Sequence, residues 1–138
     1  MIPIIQEPSV TLPPPSSSGT SSTGLDPNVA GALAYLLGPL TGILFLVLEK
    51  ENRFVRYHAA HSIAVGIVLI IASVALAILS GVLAFIPFLG WLVATLLSVV
   101  LGFGSLVLWL LLMWQAFQGR EWSLPIAGPI ANRIVGVA

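Results

Sequence analysis

Two histidines, His58 and His61, are the side chains best suited to acid–base or metal chemistry in this sequence. Their spacing of three places both imidazoles on one face of a helix. Such a pair could hold a metal ion or, less readily, an axial position of a haem. No third ligand is near in sequence unless Glu49 or Glu51 folds back. We therefore predict no metal and no cofactor, and interpret both imidazoles as polar groups at a membrane surface, hydrogen-bonded to the first helix or to lipid headgroups.

The remaining side chains offer little for catalysis. The chain has no cysteine, which excludes disulfides, thiol nucleophiles and thiolate metal sites. The motifs Gly-x-Ser-x-Gly and His-Glu-x-x-His do not occur in it. Ser62 directly follows His61, but neighbouring side chains on a helix point about 100° apart and form no dyad. The sequence predicts that the protein is not an enzyme.

One short segment between two apolar regions holds half of the charged residues of the chain and is its one charge cluster. It is too short and too polar to cross a membrane. Its cations could hold an anionic lipid at roughly 1 kcal/mol each near the surface. We predict that a partner or lipid-headgroup surface is formed here by Glu49, Lys50, Glu51, Asn52, Arg53, Arg56 and His58.

Composition identifies the class of protein. The chain has 138 residues, of which 58% are hydrophobic and 7% charged, with a formal net charge of zero. A soluble domain carries about a quarter charged residues, so this chain could not cover a soluble surface. Five scattered cations make no basic patch, which excludes nucleic acid as a partner. The composition indicates a small integral membrane protein whose first partner is the lipid bilayer.

The apolar regions predict three membrane helices. The first covers about 27–49, with Asp26 as its N-cap, a kink at Pro39, and Thr41 placed to bond a carbonyl that the proline frees. No Asp, Glu, Lys or Arg lies between Tyr57 and Gly119, a stretch that is long enough for two spans. Pro87 divides it into helices of about 58–84 and 89–117. The predicted fold is all-α, an integral membrane three-helix bundle.

The two ends of the chain differ in composition from this transmembrane domain of 27–119. Residues 1–26 are rich in Pro, Ser and Thr. Such a segment buries too little apolar surface to offset its ordering entropy, so we predict a disordered extramembrane tail. Residues 120–138 contain two prolines and are mildly amphipathic. We predict a short cytoplasmic tail there.

The distribution of cations predicts an orientation. With three spans, the loop that carries Lys50, Arg53 and Arg56 lies on the same side as the C-terminal Arg120 and Arg133. The positive-inside rule makes that side cytoplasmic. We therefore expect a multi-pass protein of the cell membrane with its N-terminus outside and its C-terminus in the cytoplasm.

Each predicted span carries a stripe of small residues. Small residues let helix backbones approach closely in lipid, where the hydrophobic effect does not drive association. They could close a monomeric bundle, or one stripe could face a second subunit or another membrane protein. The predicted helix-packing positions are Gly38, Gly42, Gly66, Ser73, Ala77, Ser98 and Gly102.

Several motifs carry a resemblance to a known family. They are the segment LEKENRFVRYHA at 48–59, LAYLLG at 33–38, and AFQG and LPI toward the C-terminus. The chain resembles, over about residues 30–130, the small prokaryotic membrane proteins of the Tic-twenty-like domain-of-unknown-function family. His61 stands where that family commonly has Gln, and Pro129 where it commonly has Asp. The resemblance implies a membrane protein related to a protein-import component, with residues 49–58 as its functional surface.

Three functional hypotheses follow. We expect a small non-enzymatic membrane protein that acts through protein partners, as an accessory subunit or scaffold of a membrane complex. The first alternative is a component of a transport or protein-translocation assembly, which would need a water-filled path between subunits. The second is a metal or cofactor site at the membrane surface that uses His58 and His61.

Overall fold

The computed structural model describes residues 19–136, and within that range the chain consists of helices joined by turns, without a strand. Most of the predicted disordered tail, residues 1–18, lies outside the described residues. The residues from 19 to 26 form turns that lead into the first helix. The five helices are α1 (Pro27–Leu33), α2 (Pro39–Leu48), α3 (Arg53–Leu83), α4 (Leu89–Phe117) and α5 (Ala127–Val135).

The two long helices are each able to cross a membrane. α3 has 31 residues and α4 has 29, with mean hydropathies of 2.9 and 2.5 over their most apolar windows. At a rise of 1.5 Å per residue, α3 is about 46 Å long and exceeds a hydrocarbon core of about 30 Å. It begins at Arg53 because Asn52 caps it, accepting hydrogen bonds from the backbone N–H groups of Phe54 and Val55 at 3.0 and 3.3 Å. A membrane-spanning α3 would therefore extend beyond the apolar layer.

α1 and α2 form a hairpin along the first half of α3. A Cβ placed on Gly31 of α1 would lie 3.0 Å from the ring of Phe54, and the ring of Pro39 lies directly against Gly66. α1 thus runs along α3 away from its N-terminal end, and the chain reverses direction at Pro39. α2 runs back toward the start of α3, where Arg56 donates a hydrogen bond to the carbonyl of Glu49 at 2.8 Å. Both ends of the hairpin lie at the N-terminal end of α3.

Gly38 and Pro39 explain this reversal. Gly38 has φ +62°, a conformation that favours glycine, and Pro39 cannot donate a backbone hydrogen bond. The hydroxyl of Thr41 lies 2.9 Å from the carbonyl of Ala34 and 3.2 Å from that of Gly38. Thr41 thus satisfies carbonyls freed by the break, as its position in the sequence predicted.

The hairpin corrects two sequence-based predictions. The predicted single helix over 27–49 is two helices of 7 and 10 residues, about 10 and 15 Å long, and neither reaches across a membrane. The described structure is therefore two long helices with a hairpin rather than a bundle of three spanning helices. The predicted placement of the N-terminal segment and the 49–52 loop on opposite sides is also wrong, because the backbone N–H of Ser22 donates to the carboxylate of Glu49 at 2.8 Å.

The C-terminal segment packs against the same half of α3. Residues 120–126 lie alongside α3. The carbonyl of Arg120 is hydrogen-bonded to His58, and the backbone N–H of Leu124 donates to His61. α5 then covers α3 with its apolar face, which is buried at Ala127 and Ala131. The predicted cytoplasmic tail is thus part of the packed structure as far as α5.

The packed core lies at one end of the molecule. We call this end the head: residues 19–66, which include α1, α2 and the start of α3, and residues 109–136, which include the end of α4 and α5. The rest of α3 and α4 we call the arms, residues 67–83 and 89–108. The buried residues of α4 are Gly90, Leu112 and Ala116. Little of the described chain therefore packs on the arms.

Candidate functional site: a tyrosine–histidine chain in the head

Tyr35 lies at the centre of the head, in the turn between α1 and α2. Its side chain is buried, and its hydroxyl lies 3.0 Å from Nδ1 of His58 and 2.9 Å from Nδ1 of His61. The two histidines are one turn apart on α3 and are 1% and 0% exposed. The hairpin thus places a phenol between the two imidazoles that the sequence singled out.

Backbone groups that contact the two histidines determine which ring nitrogens carry a hydrogen. Nε2 of His58 lies 3.0 Å from the carbonyl of Arg120, which can only accept, so this nitrogen carries a hydrogen. Nε2 of His61 faces the backbone N–H of Leu124 at 3.4 Å, so this nitrogen accepts. His58 must then accept from Tyr35 at Nδ1, and His61 must donate to Tyr35 from Nδ1.

The result is one directed chain of four hydrogen bonds. It runs from the N–H of Leu124 through His61, Tyr35 and His58 to the carbonyl of Arg120. Both imidazoles are neutral, and they are in opposite tautomers. The chain joins α3 to the hairpin and to the segment after α4. We call it the Tyr–His chain.

The Tyr–His chain bears on the predicted roles of the two histidines. All four ring nitrogens take part in hydrogen bonds, so a metal ion would have to displace one of these partners. Among residues 19–136, no group of three or more His, Asp or Glu side chains is placed to hold a metal. Both imidazoles bond to Tyr35, which lies just after α1 and within the predicted first helix. That helix was one of the two partners predicted from the sequence. The other was lipid headgroups, but both imidazoles are buried.

Aromatic rings enclose the Tyr–His chain. The ring of Phe54 meets His58 edge-on at 4.5 Å between centroids, and Tyr57 stacks on His61 at 5.8 Å with an interplanar angle of 14°. The indole N–H of Trp109 donates to the carbonyl of Tyr35, which anchors the turn to α4. These contacts hold the rings in place.

Glu49 forms a second buried polar centre, at the outer end of the head. Its carboxylate accepts from the hydroxyl of Ser21, from the N–H and hydroxyl of Ser22 at 2.8 and 2.7 Å, and from the N–H groups of Asn52 and Glu51 at 3.0 and 3.2 Å. Burial by itself would raise the pKa of Glu49. The hydrogen bonds from Ser21, Asn52, Ser22 and Glu51 outweigh it and lower the pKa from 4.5 to about 2. Glu49 therefore ties the segment before α1 to the start of α3.

These contacts divide the predicted partner or lipid-headgroup surface. Glu49, Asn52 and His58 are buried and serve the fold, so they cannot form a surface. Arg56 donates to the carbonyls of Leu46 and Glu49 and thereby caps the end of α2. The members of the predicted surface that are exposed in the structure are Lys50, Glu51 and Arg53.

The ion pair at this surface is weak. Arg53 approaches Glu121 at 3.9 Å, and its side chain is 69% exposed. A pair so exposed and so long contributes about 1 kcal/mol or less. The guanidinium of Arg53 therefore stays available to an external partner.

Comparison of the sequence with known proteins places the chain in a family. Residues 27–131 match the MamF/MmsF family, described as the magnetosome magnetite crystal formation protein family. The chain belongs to this family. The matched range begins with α1, ends within α5 and contains all five members of the Tyr–His chain.

Relatives of known sequence are membrane proteins. UPF0132 membrane protein MJ1443 of Methanocaldococcus jannaschii is 43% identical over 115 residues, which cover 83% of this chain and 94% of that protein. A UPF0132 membrane protein of Archaeoglobus fulgidus is 40% identical over 109 residues, 79% of this chain and 95% of that protein. No solved structure matches the chain. The expected kinship with small membrane proteins of unassigned function is confirmed, but the Tic-twenty-like name is not the one under which the family matches.

The predicted helix-packing residues of this MamF/MmsF family member fall into two groups. In the head, a Cβ on Gly42 would lie 2.8 Å from the carbonyl oxygen of Ala59, and Gly66 contacts the ring of Pro39. Gly38 forms the turn instead of a packing contact. In the arms, an open cleft of about 340 Å³ lies between α3 and α4. Its walls include Ser73, Ala77, Ser98 and Gly102.

The sequence singled out the two histidines but not their partners. Tyr35 could have been recognised, because a buried tyrosine hydroxyl needs a hydrogen-bond partner and Tyr35 lies in a segment that was predicted to span lipid. Trp109 was assigned to an aromatic belt at the membrane interface, yet it anchors Tyr35. Arg120 and Leu124 contribute backbone atoms, and backbone contacts leave no signal in side-chain identity.

Proposed function

We propose that this protein is a non-enzymatic integral membrane protein that acts through protein partners, as an accessory subunit or scaffold of a membrane complex. Two features support this proposal. In the head, the two histidines and Glu49 are engaged in hydrogen bonds within the chain. The arms, in contrast, are long apolar helices with little of the described chain packed on them.

The cleft between the arms is the observation that carries the proposal. Small residues line it on both sides, from α3 with Ser73 and Ala77 and from α4 with Ser98 and Gly102. In lipid, association of helices depends on close backbone approach, and small residues permit it. The two arms leave this surface open, so it is accessible to a helix of a partner protein.

The hydroxyl groups of the cleft favour packing over transport. Four serines line the cleft, and three of them, Ser73, Ser98 and Ser105, each donate to the carbonyl four residues earlier in their own helix, at 2.8, 2.8 and 2.6 Å. These three hydroxyls therefore present no free donor toward the cleft, and Ser80 is the one remaining serine that lines it. A translocation path needs polar groups that face water, so the alternative of a transport or translocation component draws no support from these residues.

We further propose that α3 and α4 are the two spans and that the head lies at the cytoplasmic face. All five cations belong to the head, and the turn between the arms, residues 84–88, carries none. The positive-inside rule then places the head at the cytoplasmic face. In this proposal the C-terminus is cytoplasmic, as the sequence predicted. The N-terminal segment is also cytoplasmic, opposite to the sequence-based prediction, because the hairpin does not cross the membrane.

Site-specific photocrosslinking in native membranes tests the role of the cleft. A photoreactive residue at Ser98 faces the cleft, whereas one at Val100 on the same helix is strongly exposed away from it. We expect a crosslinked protein of defined mass from position 98 and only lipid adducts from position 100. A lone monomer at both positions, together with a monomer on native mass spectrometry after mild extraction, would contradict the proposal.

A further inference from the structure

We propose that His61 is a proton-operated latch for the segment that follows α4, so that protonation of its imidazole releases Leu124 and opens an apolar cleft beneath it. The proposal rests on the direction of the Tyr–His chain. It is independent of the partner role proposed above. It assigns different roles to two histidines that look equivalent in sequence.

The two histidines hold this segment in opposite ways. His58 donates from Nε2 to the carbonyl of Arg120, and it keeps that hydrogen whether it is neutral or protonated. His61 accepts at Nε2 from the N–H of Leu124. A proton added to His61 can only go to this nitrogen, since Nδ1 already carries one, and it would place two N–H groups against each other. Protonation of His61 therefore breaks the link to Leu124, while the link to Arg120 survives.

The surroundings offer no anion that would hold a protonated His61 in place. The neutral groups that face it are Tyr35 from the hairpin and Tyr57 from α3 itself. Among the described residues, no carboxylate lies within hydrogen-bond distance of either imidazole. Glu49 is fully engaged by its own five donors. The Oε2 atom of Glu121 faces Arg53, and its Oε1 atom is buried without a hydrogen-bond partner in the described chain. The charged groups of the elements around the head are Asp26, Glu49, Lys50, Glu51, Arg53, Arg56, Arg120, Glu121 and Arg133.

The segment held by His61 forms one wall of a cavity. Leu124, Pro125 and Ile126 face α3 and α4 across an apolar cleft of about 220 Å³, whose opposite walls include Val65 and Leu108. The link at Leu124 is long, at 3.4 Å, and is the weakest in the Tyr–His chain. Its loss frees this wall to move.

The hairpin on the other side of the Tyr–His chain is also held by hydrogen bonds between groups that do not titrate. The hydroxyl of Ser62 donates to the carbonyl of Gly38 at 2.8 Å, and Trp109 donates to the carbonyl of Tyr35. The hairpin therefore stays in place when the latch opens. Movement is confined to the part of the C-terminal segment between Arg120 and α5.

Spin labels test the latch in the full chain in liposomes. The chain has no cysteine, so labels on cysteines introduced at Ile67 of α3 and Ile126, both exposed, report the separation across the cleft. As the pH falls, we expect the distance distribution to shift to longer values, reversibly and with unchanged helical content. The shift should follow the protonation of His61 seen by ¹⁵N NMR of its ring nitrogens.

Two variants separate the histidines. The shift should be lost in H61Q and retained in H58Q, because only His61 accepts from the backbone of the moving wall. A shift that persists unchanged in H61Q would overturn the proposal. If H61Q fails to fold, the native chain still decides, since a constant label separation while NMR shows His61 to be protonated would also overturn it.

Discussion

Tyr35 donates a hydrogen bond from its hydroxyl to Nδ1 of His58, at 3.0 Å, inside the head. This single contact joins the hairpin of α1 and α2 to the helix α3. Each imidazole is also hydrogen-bonded to a backbone group of the segment after α4. Tyr35 therefore links that segment to the hairpin. One phenol thus holds three parts of the chain together.

Replacement of Tyr35 by phenylalanine should destabilise the head. The variant Y35F removes the donor to His58 and the acceptor of His61 and leaves two buried ring nitrogens unpaired. An unpaired buried polar group costs about 1–3 kcal/mol. We expect a lower midpoint of thermal unfolding in detergent. W114F at an exposed aromatic position is the matched control, and an equal effect in both variants would show that the hydroxyl is unimportant.

The tautomers of the two histidines should differ. Nitrogen-15 NMR at neutral pH should find the hydrogen of His58 on Nε2 and that of His61 on Nδ1, since each is fixed by a backbone partner. The same tautomer at both positions would refute the directed Tyr–His chain.

Gly42 should not tolerate a methyl group. In G42A the new Cβ would lie 2.8 Å from the carbonyl oxygen of Ala59, a backbone atom that cannot move aside alone. Overpacking of this kind costs typically about 1–3 kcal/mol. G81A serves as the control, because nothing lies within 4 Å of its Cβ position. Unfolding in detergent should show a loss for G42A and a small gain or no change for G81A; equal stabilities would contradict the hairpin packing.

Acid should weaken the contact at Glu49. Its pKa in the folded protein, about 2, is below its ordinary value of 4.5, so its hydrogen bonds stabilise the fold fully above pH 4.5. This stabilisation is lost as the pH falls from 4.5 toward 2. Unfolding midpoints of the native chain should decline over that range, and the variant E49Q should start lower at pH 7 and decline less. E51Q, at an exposed carboxylate, should behave as the native chain does; a decline in E49Q as steep as in the native chain would contradict the assignment.

The long apolar helices could be predicted from the sequence, and the hairpin could not. α4 spans Leu89–Phe117, the range derived from charge-free length and from Pro87 alone. The segment 27–49 has the same length and polarity as a span, and a proline inside a helix usually signals a kink. Whether the chain kinks or reverses there depends on the positive φ of Gly38 and on the packing of Pro39 against Gly66, a contact between residues distant in sequence.

The candidate site was predicted only in part for a similar reason. The two histidines stand out by residue type and spacing, and the first helix was foreseen as a partner. The direction of their hydrogen bonds depends on backbone atoms of Arg120 and Leu124, which any residue would supply. The predicted surface at 49–58 mixed exposed residues with buried ones, because a charge cluster does not reveal that Glu49 turns inward to five donors.

The location of the head can be measured directly by thiol labelling of intact cells. Single cysteines at Leu25 in the head and at Phe85 between the arms are both exposed in the structure. With α3 and α4 as the two spans and the head in the cytoplasm, an impermeant reagent should label position 85 in intact cells. Position 25 should react only after permeabilisation. Labelling of position 25 from outside would contradict the account.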